Sequence, residues 1–199
     1  MLTTMRRSPV FIIFLYVSVL FTLELNTAKS HASEPPSEAQ LWRALKTGAA
    51  IALMRHALAP GTGDPSNFVL NDCRTQRNLS NKGRKQATAI GNQFRSHGIR
   101  NAEVFTSEWC RCRETAKLLG FSKTRPLKTL NSFFQQFERA EPQTEELKSW
   151  LISYRSNIPI VLVTHQVNIT ALTGVFPRSG EIVVVQRLTD GGFAVLGSL

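Results

Sequence analysis

Two histidines stand directly at the ends of uninterrupted apolar runs. Arg55 and His56 follow AAIALM at residues 49–54, and His165 follows IVLVT at residues 160–164. A neutral imidazole offers a nucleophilic nitrogen near neutral pH, and a guanidinium fork can hold two oxygens of one anion. The remaining histidines carry less: His31 lies in a leader-like segment, and His97 sits where a helix ends and an imidazole suits the dipole. A third component, SEWCRCRETA at residues 107–116, follows the strand-like AEVFT and opens a helix. An arginine there lies near a helix N-terminus, which already favours an anion. Arg111 fits that role, and Arg113 is better explained as part of a solvated helix face. Together these residues describe two imidazoles set among cations, an arrangement suited to gripping a phosphoryl group.

Such side chains need elements that bring them together. Apolar runs as short and continuous as AAIALM and IVLVT are expected of strands buried on both faces, hence of a mostly parallel sheet covered by helices. The expected fold class is α/β, a three-layer α/β/α sandwich. Ligands in such sheets bind beyond the carboxyl ends of the strands, where both histidines emerge. Ser37 and Gln40 form a capping box for a helix over 38–47 that ends at Gly48. Ser80 caps a second helix with Ala87, Ile90 and Phe94 on its inner face and Gly98 as its stop. A third is expected from about Trp109 to Leu119, and Thr144 is expected to cap a fourth, with Leu147, Trp150, Leu151 and Tyr154 on one face. Residues 181–188 and 193–196, joined by Thr189-Asp190-Gly191-Gly192, read as a closing hairpin. Residues 57–78 and 121–143 read as loops that set selectivity.

With these motifs in place, the chain resembles the histidine phosphatase superfamily, the phosphoglycerate mutase-like group, in its branch 1 and exported bacterial form. The strand-end Arg55-His56-Ala57 is similar to the family's R-H-G opening, with alanine for glycine. Leu79-Ser80-Asn81-Lys82-Gly83-Arg84-Lys85-Gln86-Ala87 keeps its L-[ST]-x-x-G-x-x-Q-A pattern, Arg111-Cys112-Arg113-Glu114-Thr115-Ala116 its R-x-x-x-T-A helix, and Val163-Thr164-His165 its second strand-end histidine. The resemblance spans roughly residues 49–170. It implies that His56 attacks phosphorus to give a phosphohistidine, that Arg55, Arg111 and His165 hold the phosphate oxygens, and that no metal or other cofactor takes part. Two departures concern the leaving group: Ser132 stands where mutase-like members carry a proton-donating glutamate, and Gln166 where acid phosphatase relatives carry an aspartate. Glu138, and after it Glu141 and Asp72, are the remaining candidate donors.

Arg6 and Arg7, the apolar stretch Pro9 to Leu23 and the small-x-small Ser30-His31-Ala32 have the layout of an export signal over residues 1–32, with an uncleaved anchor as the competing reading. Residues 33–48 are then a linker and helix, and 49–199 the catalytic domain. Removing 32 of 199 residues leaves 167, enough for one domain, with a net charge of 21 basic minus 13 acidic groups, about +8. This charge attracts phosphates, nucleic acid or anionic membranes alike. The aromatic-basic alternation of a nucleic-acid platform is missing, so the expected partner is a phosphorylated small molecule or an envelope phosphate, without stable membrane insertion once the leader is removed. A periplasmic or secreted location makes a disulfide plausible. Cys110 and Cys112 cannot both reach Cys73, so either one bridge forms from Cys73 or all three thiols stay reduced.

Overall fold

The computed structural model describes residues 34–199. The leader reading for residues 1–32 lies outside them. Among the described residues, five α-helices and six strands follow in the order α1 (Glu38–Lys46), β1 (Ile51–Arg55), α2 (Asn81–Ser96), β2 (Glu103–Thr106), α3 (Cys110–Leu118), β3 (Thr124–Pro126), α4 (Ala140–Ser153), β4 (Ile160–Thr164), α5 (Gln166–Thr173), β5 (Ile182–Arg187) and β6 (Phe193–Ser198). The strands form one sheet in the order β3-β2-β4-β1-β5-β6. β1 to β4 run parallel, and β5 pairs antiparallel with β1 and with β6.

Side-chain alternation along the strands sorts the core into two layers. Ala52 and Met54 of β1, with Val161 and Val163 of β4, face Leu41, Trp42, Ile90, Phe94 and Ala116, so α1, α2 and α3 cover that side. Ile51 and Leu53, with Leu162 and Phe105, face Leu147, Leu151 and Ile169 of α4 and α5 on the other. This is the expected three-layer sandwich. β1 up to Met54 and β4 up to Val163 are apolar at every position because each of these positions meets a helix layer.

Two local expectations are corrected, and one helix is added. α4 begins at Ala140, not after Thr144: Pro142 is tolerated in the first turn, where its missing N–H is not needed, and the Thr144 hydroxyl donates to the Ala140 carbonyl at 2.6 Å instead of capping. Within the segment read as loop 121–143, β3 pairs with β2, and two 3-10 turns, Lys128–Leu130 and Phe137–Arg139, follow it. Directly after His165 comes α5, which has no side-chain cap to announce it.

The motif around Ser80 holds the chain that leaves β1. Gln86 accepts from the Leu58 N–H at 2.9 Å and donates to the Ser179 carbonyl at 2.7 Å, and the Ser80 N–H donates to the Leu58 carbonyl at 3.1 Å. A Cβ on Gly83 would lie 2.1 Å from that carbonyl oxygen, so only glycine lets α2 approach this closely. The Thr115 hydroxyl accepts from the Ala57 N–H at 3.1 Å, which ties α3 to the residue after His56.

Candidate active site

Parallel pairing of Arg55 with Thr164 sets His56 and His165 side by side at the carboxyl edge of β1 and β4, and the His56 N–H donates to the Thr164 carbonyl at 2.9 Å. Their rings are 5.5 Å apart, centroid to centroid. Both line a cavity of about 490 Å3 together with Arg55, Arg77, Arg111 and Arg139. The structure therefore gathers His56, Arg55, Arg111 and His165 in one place, and it adds two further guanidinium groups.

His56 is buried, and its Nδ1 lies 2.8 Å from the Ala57 carbonyl oxygen. A carbonyl only accepts, so Nδ1 carries the proton and Nε2 keeps a lone pair. Burial, and after it the positive charge of Arg111, push the imidazole down to about 3, which keeps it neutral at ordinary pH. His165 is held well below its ordinary value by the same causes in the same order. Its Nε2 lies 2.8 Å from Ser107 Oγ and its Nδ1 3.4 Å from an Arg111 nitrogen. Since arginine can only donate, His165 accepts at Nδ1 and donates from Nε2 to Ser107. Ser107 in turn donates to Asn131 Oδ1 at 3.2 Å. A relay from α3 through Ser107 to Asn131 thus orients the second imidazole.

Arg111 is almost fully buried and grips Asp64, Nη1 to Oδ1 at 2.7 Å and Nη2 to Oδ2 at 3.1 Å. Asp64 also accepts from Trp109 Nε1 at 3.0 Å and from the Arg77 N–H at 3.1 Å. Burial opposes the Asp64 charge, but hydrogen bonding and charge from Arg111 outweigh it and hold the carboxyl below its ordinary value. Arg55 donates from Nη1 to the Pro177 carbonyl at 2.9 Å. Arg77 donates from Nε to the Gly63 carbonyl at 2.8 Å. Burial, then Arg111, lowers the Arg77 guanidinium to about 10, so it stays charged. The Nε groups of Arg55 and Arg111 are buried without a hydrogen-bond partner among the described residues. The two residues that carry these unpaired donors both line the cationic cavity.

Of the proton-donor candidates, Glu138 and Glu141 are exposed, and Asp72 pairs with Arg74 at 2.8 Å; none of the three lines the cavity. Ser132 and Gln166 do line it. Asp64, Arg77, Ser107 and Asn131 escaped the sequence reading. The one visible signal for Asp64 was an acid inside a Gly-Pro loop that follows a strand-end histidine.

Cys73 and Cys110 form a disulfide, and Cys112 is a buried free thiol. The bridge joins the loop bearing Asp64 and Arg77 to the first turn of α3, next to Arg111. Gln76 reinforces it, accepting from the Cys110 N–H at 2.9 Å. Cys112 Sγ lies 3.5 Å from His165 Nε2, and burial pushes this thiol up to about 12.

Residues 51–141 match the profile of the Histidine phosphatase superfamily (branch 1). The matched segment contains Arg55, His56, Arg77 and Arg111, and His165 lies beyond it. No curated protein matches the chain. Among solved structures, the protein histidine phosphatase SixA complexed with tungstate is similar, at 16% identity and a TM-score of 0.53 over 75% of this chain and 96% of that one. Phosphoserine phosphatase from Entamoeba histolytica, in complex with 3-phosphoglyceric acid, gives 13% identity and 0.53 over 75% and 95%. Mycobacterial glucosyl-3-phosphoglycerate phosphatase Rv2419c gives 14% and 0.52 over 74% and 96%. At such identities the likeness establishes the fold, and the histidine phosphatase reading of the site rests on its residues and on the profile match.

Proposed function

We propose that this chain is an exported histidine-dependent phosphatase that hydrolyses phosphate esters through a phosphohistidine on His56. The observation that carries the reading is the free Nε2 lone pair of His56, fixed by the Ala57 carbonyl, inside a cavity lined by four guanidinium groups. Nε2 attacks phosphorus in line, the leaving oxygen departs, and water then attacks the phosphohistidine to release phosphate. Arg55 and Arg111 neutralise the equatorial oxygens. Export rests on the leader-like residues 1–32, and the compartment is periplasmic or extracellular on this reading. The resemblance to phosphatases in fold, with the profile match, supports the reaction class.

Wild-type protein given a radiolabelled aryl phosphate should trap an acid-labile, base-stable phosphoryl group and release the aryl alcohol in a burst, with phosphate following at the slower rate of phosphohistidine hydrolysis. His56→Ala should lose both. A second reading, a phosphate-binding module without useful turnover, is favoured by Asp64 sitting on the fork of Arg111 and by Ser132 and Gln166. Phosphate binding by wild type with no release from an aryl phosphate would decide for it.

A further inference from the structure

The cavity holds more charge than one phosphoryl group requires. Four arginines line it, Arg55, Arg77, Arg111 and Arg139, against a single carboxylate, Asp64, and both imidazoles are neutral. The excess is three positive charges. One phosphomonoester carries about two negative charges, and a second phosphoryl group in anhydride linkage brings the total to about three.

Arg139 is one of the three cations that no carboxylate compensates. It is held between Gln136 Oε1 and Gln143 Oε1, each at 2.7 Å, and pairs with no carboxylate among the described residues. Neutral acceptors fix the guanidinium without cancelling its charge, a state that suits a ligand anion.

The leaving group gives an independent constraint. Asp64, the one acid in the cavity, is deprotonated and engaged by four donors, so it cannot pass a proton to a departing alkoxide. A departing phosphomonoester needs no such proton, because the second ionisation of its conjugate acid lies at about pH 6. The walls supply the third constraint. Phe68, Trp109, Phe134, Val167 and Phe176 line the same cavity, and Phe176 is 73% exposed. At about 490 Å3 the cavity has the size of sites that enclose whole organic ligands.

We infer that the substrate is a monoester of diphosphoric acid whose organic group presents an apolar face. This deepens the proposed phosphatase reading and rests on it. The terminal phosphoryl sits on Arg55 and Arg111, the inner one on Arg139, and the organic group against Phe134 and Phe176. His56 Nε2 bonds to the terminal phosphorus as the bridging P–O bond breaks, and the electron pair leaves with the phosphomonoester. Water then cleaves the N–P bond, restoring the imidazole and yielding inorganic phosphate. The net reaction is diphosphate monoester plus water to phosphomonoester plus phosphate.

The full chain should be assayed for phosphate release from geranyl diphosphate and geranyl monophosphate, UDP and UMP, and p-nitrophenyl phosphate, with His56→Ala as the blank. We expect kcat/KM at least tenfold higher for one diphosphate than for its own monophosphate, and the favoured pair identifies a hydrocarbon or a nucleoside source. Arg139→Gln should erase that preference by raising KM for the diphosphate, and Arg139→Lys should restore part of it. Phe176→Ser should raise the same KM at least fivefold. If p-nitrophenyl phosphate is turned over but neither diphosphate is preferred, or if the preference survives Arg139→Gln, the inference fails and the phosphatase reading stands. If no compound exceeds the His56→Ala blank, both fail.

Discussion

The neutrality of His56 has a consequence for acid behaviour. Its pKa is depressed in the folded chain, from 6.5 to about 3, so the unfolded chain takes up the proton first as pH falls. Stability is complete above about pH 6.5 and declines from there down to about 3, where the folded imidazole also titrates. His165 adds to the loss in the same direction. Thermal melts should therefore fall steadily from pH 7 toward pH 4 (about the end of the practical range), and His56→Asn should shrink the drop. For catalysis the sign means that protonation of free His56 produces no acid limb in kcat/KM above about pH 4. A limb near pH 6 would track the second ionisation of the substrate phosphate, which substrates of different phosphate pKa would reveal. Arg111 is the group most exposed to substitution: Arg111→Ala should lower kcat by about 100- to 1000-fold in steady-state assays, since it faces the developing charge.

At the scale of elements, the chemistry depends on how tightly α2 and α3 hold the segment after β1. Gly83→Ala forces a Cβ against the Leu58 carbonyl and should cost about 3 kcal/mol, read as a fall in denaturation midpoint. The same substitution displaces Ala57, whose carbonyl sets the His56 tautomer, so kcat should fall with stability. Reducing the Cys73–Cys110 bridge, or making Cys110→Ser, should remove about 2 to 4 kcal/mol and loosen the loop bearing Asp64 and Arg77. How far these elements were legible in the sequence follows from their burial. β1 and β4 announced themselves because every position is packed, and α2 because its cap, inner face and stop all agree. β3 is three exposed residues, Thr124, Arg125 and Pro126, whose strand character comes only from β2 beside it. The start of α4 was misplaced because Thr144 is as good an internal hydroxyl as a cap. Within the site, strand-end histidines and the α3 arginine were readable because regular elements carry them. Asp64 and Arg77 sit in a loop whose path is decided by Arg111, Trp109 and the disulfide, contacts that no local pattern encodes.

Across the whole molecule, net charge of +10 and a cavity of the same sign should draw anionic substrates inward. kcat/KM for a phosphate ester is expected to fall severalfold as salt rises from about 0.02 to 0.2 M, while kcat holds, because only encounter is screened. One sulfur gives a second whole-molecule readout. Cys112 is wedged between Thr164 and His165 beneath α3, fully enclosed and held as the protonated thiol. An alkylating probe can reach it only when α3 lifts off the sheet. The rate of mass increase at that position then counts the openings of the folded chain, with the other two cysteines silent in their bridge, and a ligand that bolts α3 down through Arg111 should slow the clock.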